Sequence, residues 1–303
     1  MSLWIFFVFF TVFWGASWGS FMNVLIHRIP LDMSVVFPAS ACPHCNHKIR
    51  WYENIPVVSY IFLLARCSNC KTVINPRYPI VEAAAGIWSL ALAWQYLWPI
   101  WKQPELWAHQ KSLLLLPTVQ WLWYLSFVCA LLAITFIDLF YTFIPDEISY
   151  PMMIWGVFGA FLCMSFPIQH LIGLIAGYSV IYLIRLLGFL IYKREAMGLG
   201  DAKLLAVIGV FLGWRLLPIV LLAAAVQGII ASIIALGYTK VTGKSNLLTI
   251  TSEELDQRFG ESFDQQQVYL VIPFGPFLCL AAFEILMIKP DQVINLWQLY
   301  LGT

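Results

Sequence analysis

Charge is what this sequence has least of. Asp, Glu, Lys and Arg make up 11% of its 303 residues, against about 25% in soluble globular domains. The charges also cancel. Seventeen Lys and Arg face 16 Asp and Glu, for a net charge of +1. That balance excludes the strongly basic field that nucleic-acid binding requires, and no nucleic-acid partner is expected. The N-terminus lacks a basic region and a small-residue cleavage site. An apolar run starts directly after Met1 and Ser2, so it reads as a retained first helix and not as a removed signal. Internal repeats and low-complexity linkers are absent. So is a glycine-rich loop of the kind that cradles nucleotides after a strand.

What the chain has instead is apolar length. It is 61% hydrophobic, with mean hydropathy +0.81. Spans of bilayer-crossing character run over about 3–25, 79–99, 117–138, 148–166, 169–192, 203–215, 217–238 and 268–288. The sixth is short, and Pro218 is expected to break it from the seventh. The fold class is therefore an all-α polytopic membrane protein with about eight transmembrane helices. The 14 Trp and 13 Tyr suit interfacial belts and packing between helices.

Three polar stretches interrupt the spans: 26–78, 193–202, and 239–267 with its Gln265-Gln266-Gln267 run. Basic residues orient them. Of the 17 Lys and Arg, only Lys102, Lys111, Arg215 and Lys289 fall on the opposite side, and Arg185 lies within a span. The remaining twelve share a side with 26–78. The positive-inside bias puts that stretch in the cytoplasm and both termini outside.

The 26–78 stretch holds Cys42-Pro43-His44-Cys45 and Cys67-Ser68-Asn69-Cys70, with 21 residues between the pairs. In a reducing cytoplasm two CxxC pairs read as a metal site, each pair gripping one side of a tetrahedral ion such as Zn²⁺. A disulfide-bonded loop on the outer face is the competing reading. Four thiolates fill the shell, so the site is closed and structural, and His44 and His47 are spare ligands. Cys129, Cys163 and Cys279 lie in apolar spans as small hydrophobes. The expected organisation is a first transmembrane helix over 1–25, a small cytoplasmic zinc-knuckle domain over 26–78 and a multi-helix membrane domain over 79–303.

Carboxylates near the spans are few, and ionisable groups at membrane depth are functional candidates. Asp138 ends span three in Thr135-Phe136-Ile137-Asp138-Leu139. Asp146 follows Pro145, and Asp201 closes the turn Gly198-Leu199-Gly200-Asp201. Glu82 and Glu284 lie in spans two and eight. Helix capping accounts well for Asp146 and Asp201. It accounts poorly for Asp138, which opposes the negative end of its own helix. Two carboxylates brought together can share one proton, one acting as general base on water and the other as general acid. The Gly198 and Gly200 turn permits close backbone approach.

With those features in place, the chain resembles the type IV prepilin peptidase family, the prepilin leader peptidase/N-methyltransferases. The likeness rests on six ordered segments. They are Gly19-Ser20-Phe21-Met22-Asn23 through Arg28-Ile29-Pro30, Asn54-Ile55-Pro56, Pro76-Arg77-Tyr78-Pro79-Ile80-Val81-Glu82, Ile137-Asp138 through Ile144-Pro145-Asp146, Met197 through Leu205, and Pro273-Phe274-Gly275-Pro276-Phe277-Leu278. The resemblance implies a bifunctional enzyme of the bacterial inner membrane. It implies cleavage of the basic leader of type IV prepilins and type II secretion pseudopilins after a glycine, at the cytoplasmic face. Methylation of the new N-terminal amine with S-adenosyl-L-methionine follows. Carried over by motif, the catalytic pair is Asp138 and Asp201, Asp146 helps position the loop, and Cys42, Cys45, Cys67 and Cys70 bind metal. Glu195 is a candidate contact for the leader's positive charges. The aromatic region 99–118, with Trp101 and Trp107, departs from the family on the outer face. Two alternatives stay open: a leader peptidase without methyl transfer, and a non-enzymatic membrane scaffold with a zinc knuckle.

Overall fold

The structure is a computed structural model that describes residues 2–103, 114–193, 198–242, 249–250, 269–270 and 273–288. Trp107, Glu195 and most of 239–267, including Gln265-Gln266-Gln267, lie outside the described residues. The chain is helical: α1 (Ser2–Arg28), α2 (Val58–Phe62), α3 (Arg77–Tyr96), α4 (Trp98–Trp101), α5 (Leu115–Tyr141), α6 (Asp146–Cys163), α7 (Pro167–Tyr192), α8 (Leu199–Leu212), α9 (Leu217–Thr242) and α10 (Gly275–Met287). Two antiparallel two-residue strands, β1 (Thr249–Ile250) and β2 (Tyr269–Leu270), pair with Thr249 opposite Leu270.

Each expected apolar segment carries a helix. Four helical segments are long and apolar enough to cross a bilayer: Trp4–Leu31, Leu115–Tyr141, Pro167–Ile191 and Trp214–Tyr238. Gly275–Met287 is a shorter apolar helix. Within its apolar window α5 is 72% buried while α7 and α9 are only 17% buried. Hence α5 is an interior helix, and α7 and α9 turn most of their surface outward.

The break before α9 differs from expectation. Gly213 ends α8 at φ +84 and ψ 160, and a 3₁₀ turn over Trp214–Leu216 follows. Pro218 sits in the first turn of α9. A proline there loses no intrahelical bond, so it starts a helix instead of breaking one. The glycine does the breaking, because the positive φ is cheap only without a Cβ.

The chain divides into two compact units, residues 1–136 with 145–167 and residues 137–144 with 168–303. In the first, α1 packs along α3 through Gly15 and Gly19. A Cβ on Gly19 would come within 2.8 Å of Glu82 Cα. Lipid supplies no hydrophobic drive between helices, so small residues and interhelical hydrogen bonds do the joining. Ser89 shows both roles. Its hydroxyl donates to the Thr11 carbonyl at 2.7 Å, and its carbonyl accepts from the Trp121 indole at 3.0 Å. In the second unit α7 meets α8 backbone to backbone at Gly173 and Gly209, where either added Cβ would strike the opposite carbonyl. His170 Nδ1 bridges to the Val210 carbonyl at 2.9 Å.

Candidate active site and thiol cluster

The second unit gathers the acids. Asp138 lies on α5 one turn before its end, and it is 6% exposed. The helix stops at Thr142, whose N–H donates to the Asp138 carbonyl at 2.9 Å and whose φ is +56. A β-branched residue at positive φ is costly, so the turn is held by its surroundings. It sends Ile144 toward both other parts of the site. A Cβ on Gly200 would meet Ile144 Cβ at 3.1 Å, and one on Gly275 would meet Ile144 Cδ1 at 3.4 Å.

Asp201 lies in the first turn of α8, three residues after the N-cap Gly198. Its carboxylate takes a hydrogen bond from the Gly198 backbone N–H, closing the turn as a capping box does. The expectation that Asp201 serves as a cap is thus met in part: Gly198 is the N-cap, and Asp201 closes the turn from the third helical position. Its charge acts directly on Asp138.

Gly275 explains the uncomfortable position of Asp138. The Asp138 carboxylate accepts a hydrogen bond from the Gly275 backbone N–H. Gly275 is the first residue of α10, so an acid misplaced on its own helix is well placed at the positive end of another. A Cβ on Gly275 would collide with Asp138 Oδ2. Sequence reasoning noticed the Pro273–Leu278 motif but gave Gly275 no role. The only signal was the glycine between Phe274 and Pro276, at the start of an apolar run.

The thiol cluster lies in the first unit and is built twice over. Asn46 N–H donates to the Cys42 carbonyl at 2.9 Å, as Lys71 N–H does to the Cys67 carbonyl at 3.1 Å. Cys42 N–H reaches the His47 carbonyl and Cys67 N–H the Thr72 carbonyl, both at 2.9 Å. Asn46 and Lys71 are left-handed at φ +54 and +60. Isolated bridges join Ala41 to Lys48 and Arg66 to Val73. Every element recurs at an offset of 25 positions, as two matching knuckles.

The four sulfurs lie within 4.8 Å of one another. Cys42 to Cys70 is 3.8 Å and Cys45 to Cys67 is 3.9 Å. A Zn–S bond of about 2.3 Å gives a tetrahedron with edges of about 3.8 Å. The thiols therefore fit such an ion. Hydrogen bonding from Thr72 lowers the Cys70 pKa to about 6, whereas burial raises Cys42 to about 11. The spare histidines stay out of the cluster. His47 Nε2 faces Glu53 Oε2 at 3.9 Å. Asp146 opens α6 as an exposed acid in its first turn, where the helix dipole favours it. Cys129, Cys163 and Cys279 are buried thiols outside any disulfide.

Together these features define a class: an apolar helical membrane protein with a thiol tetrad and a pair of interacting acids. Comparison with known proteins supplies the family. Residues 13–96 match the bacterial peptidase A24 N-terminal domain, and residues 125–233 match the type IV leader peptidase family. A prepilin leader peptidase/N-methyltransferase of Myxococcus xanthus is 33% identical, over 91% of this chain and 88% of the relative. A protein of the same description from Pseudomonas aeruginosa is 32% identical over 98% and 95%. One from Burkholderia pseudomallei is 34% identical over 89% and 81%. No solved structure matches. The chain belongs to the prepilin leader peptidase/N-methyltransferases and is an enzyme of that family.

Proposed function

We propose that this protein cleaves the basic leader of type IV prepilins and type II secretion pseudopilins with Asp138 and Asp201, then methylates the new N-terminal amine. The observation that carries the reading is the packing around Ile144, which touches both Gly200, next to Asp201, and Gly275, whose N–H holds Asp138. The two acids come from α5 and α8 and interact electrostatically beside the N-terminus of α10. Like charges at close range favour one shared proton. The unprotonated carboxylate takes a proton from water as that water attacks the scissile carbonyl. The protonated one gives its proton to the carbonyl oxygen, and a tetrahedral diol forms. On collapse the first acid passes the proton it took from water to the departing amine nitrogen, the C–N bond breaks, and the second acid recovers a proton from the diol. No covalent intermediate and no metal-bound water is needed. Which acid starts protonated is a property of the pair.

The reading extends to placement. Eight helices cross the bacterial inner membrane, with the thiol cluster and the acids on the cytoplasmic side by the positive-inside bias. A prepilin leader is basic and precedes an apolar helix. The same bias holds the leader in the cytoplasm and brings its cleavage point to the headgroup level. Gly198, where an added Cβ would meet only Asp201 Oδ2 and Gly200 N, leaves room for an unwound substrate backbone beside Asp201. Cys42, Cys45, Cys67 and Cys70 hold a structural Zn²⁺. S-adenosyl-L-methionine supplies the methyl group, and no residue is assigned to it, because the sequence carries no glycine-rich nucleotide loop.

The test is the mass of a prepilin incubated with membranes holding the enzyme, with and without the methyl donor. Loss of the leader plus one methyl group supports the whole reading. Loss of the leader alone selects a peptidase without methyl transfer, and an unchanged mass selects a non-enzymatic scaffold.

A further inference from the structure

Between α1 and α3, the segment around α2 ends in an apolar tip that the thiol cluster does not use. Ile61, Phe62 and Leu64 are 64%, 82% and 81% exposed. The tip is held open by two successive left-handed residues, Leu64 at φ +51 and Ala65 at φ +57. Glycine normally takes such positions, so two side chains there mark a conformation fixed by its surroundings.

Three observations bear on what covers it. First, the entry to α2 is tied to α3, which packs against α1. The Val57 N–H, at the start of α2, donates to Glu82 Oε2 at 2.7 Å, and Val57 itself is strained at φ +61. Glu82 backs onto Gly19 of α1 and shares its carboxylate with Ser20. Gly19 lies well within the apolar segment Trp4–Leu31. It lies nine positions before Arg28, which is roughly 13 Å along a helix. Asn23 Nδ2 bonds the Tyr78 carbonyl at 3.0 Å, so α3 enters alongside α1 at that depth.

Second, the N–H groups of the tip find partners within it. Leu63 N–H donates to the Ser59 carbonyl, Leu64 to Ile61, Ala65 to Tyr60 and Arg66 to Leu63, all at 2.9 to 3.0 Å. The Ser59 hydroxyl turns inward to the Ile55 carbonyl at 2.8 Å. This closure, common at helix C-termini in water as well, leaves these four N–H groups in need of no partner from lipid. Third, the exposed bases Arg66 and Lys71 follow the tip in sequence, which suits an anionic headgroup layer next to the acyl chains.

We infer that Ile61, Phe62 and Leu64 form a wedge inserted into the bilayer interface, anchoring the thiol-cluster segment to the membrane surface through Glu82 and Val57. The wedge needs α1 to cross the membrane. It is independent of the chemistry at Asp138 and Asp201. The rival occupant of such a tip is the substrate's apolar segment, and the experiment separates the two.

The experiment places an environment-sensitive fluorescent amino acid at Phe62, and in a second variant at Leu64, in the full-length protein. Each is reconstituted in lipid nanodiscs containing phosphatidylglycerol, with retained leader cleavage as the check on folding. Without substrate, the emission should be blue-shifted and should be lost in discs made with acyl-chain-brominated lipid. Water-like emission at both sites, indifferent to bromine, overturns the inference. A blue shift that arises only on adding prepilin also overturns it and assigns the tip to substrate.

Discussion

In the thiol cluster, Cys42 with Cys45 and Cys67 with Cys70 each close within one tight turn, and the two turns copy one another. In the acid pair, Asp138, Asp201 and Gly275 come from three helices, and each depends on the others for its surroundings. The first is local and survives as a pattern in the sequence. The second is tertiary and exists only once α5, α8 and α10 have packed. A closed structural site needs a fixed set of ligands, which short turns supply. A hydrolytic site needs acids in an environment that shares a proton, which only packing supplies.

That contrast orders the consequences of mutation. The largest effect belongs to the acids. Asp138→Asn or Asp201→Asn should lower leader cleavage by roughly 10²–10⁴-fold in membranes, since general acid–base catalysis is worth that much. Metal content, held in the other unit, should stay the same. A fall in bound metal in either variant would break the separation between the two regions. Next comes Cys42→Ser. Because folding and metal binding are coupled, it should release the ion and open residues 29–76 to protease, read by elemental analysis and limited proteolysis. If wild-type protein holds no zinc or related ion, the tetrad reading fails.

Gly275→Ala sharpens the comparison on the acid side. The new methyl group would strike the Asp138 carboxylate. A displacement of this size should cost roughly 10²-fold in cleavage rate with little change in expression. The smallest effect belongs to Gly237→Ala, whose added Cβ meets nothing within 4 Å. It should leave cleavage unchanged and favour the helix by at most about 1 kcal/mol.

The same contrast sets what could be read from the sequence. Of the expected spans, the four that stand as helices long and apolar enough to cross a bilayer were legible, because bilayer thickness fixes their length and composition. The Cys42–Cys70 tetrad was legible because spacing alone brings thiols together. For the acids, sequence gave Asp138 and Asp201 as candidates and made Asp138 look wrong for its helix. The compensation, Gly275 N–H at the head of α10, lies 137 residues away and leaves no periodic trace. Pro218 was misread for a related reason. A proline either ends or opens a helix, and only Gly213 at φ +84 shows which. The α2 tip was invisible for another reason: Leu64 and Ala65 are not residues from which left-handed turns are expected.

One measurement bears most directly on the acids acting as a unit: the single-turnover rate of prepilin leader cleavage by Asp138→Asn, Asp201→Asn and the double variant. Two acids serving one water should give a double variant no slower than either single one. Independent, multiplying losses would contradict the shared site, and a single variant that cleaves at the wild-type rate would remove that residue from the reaction.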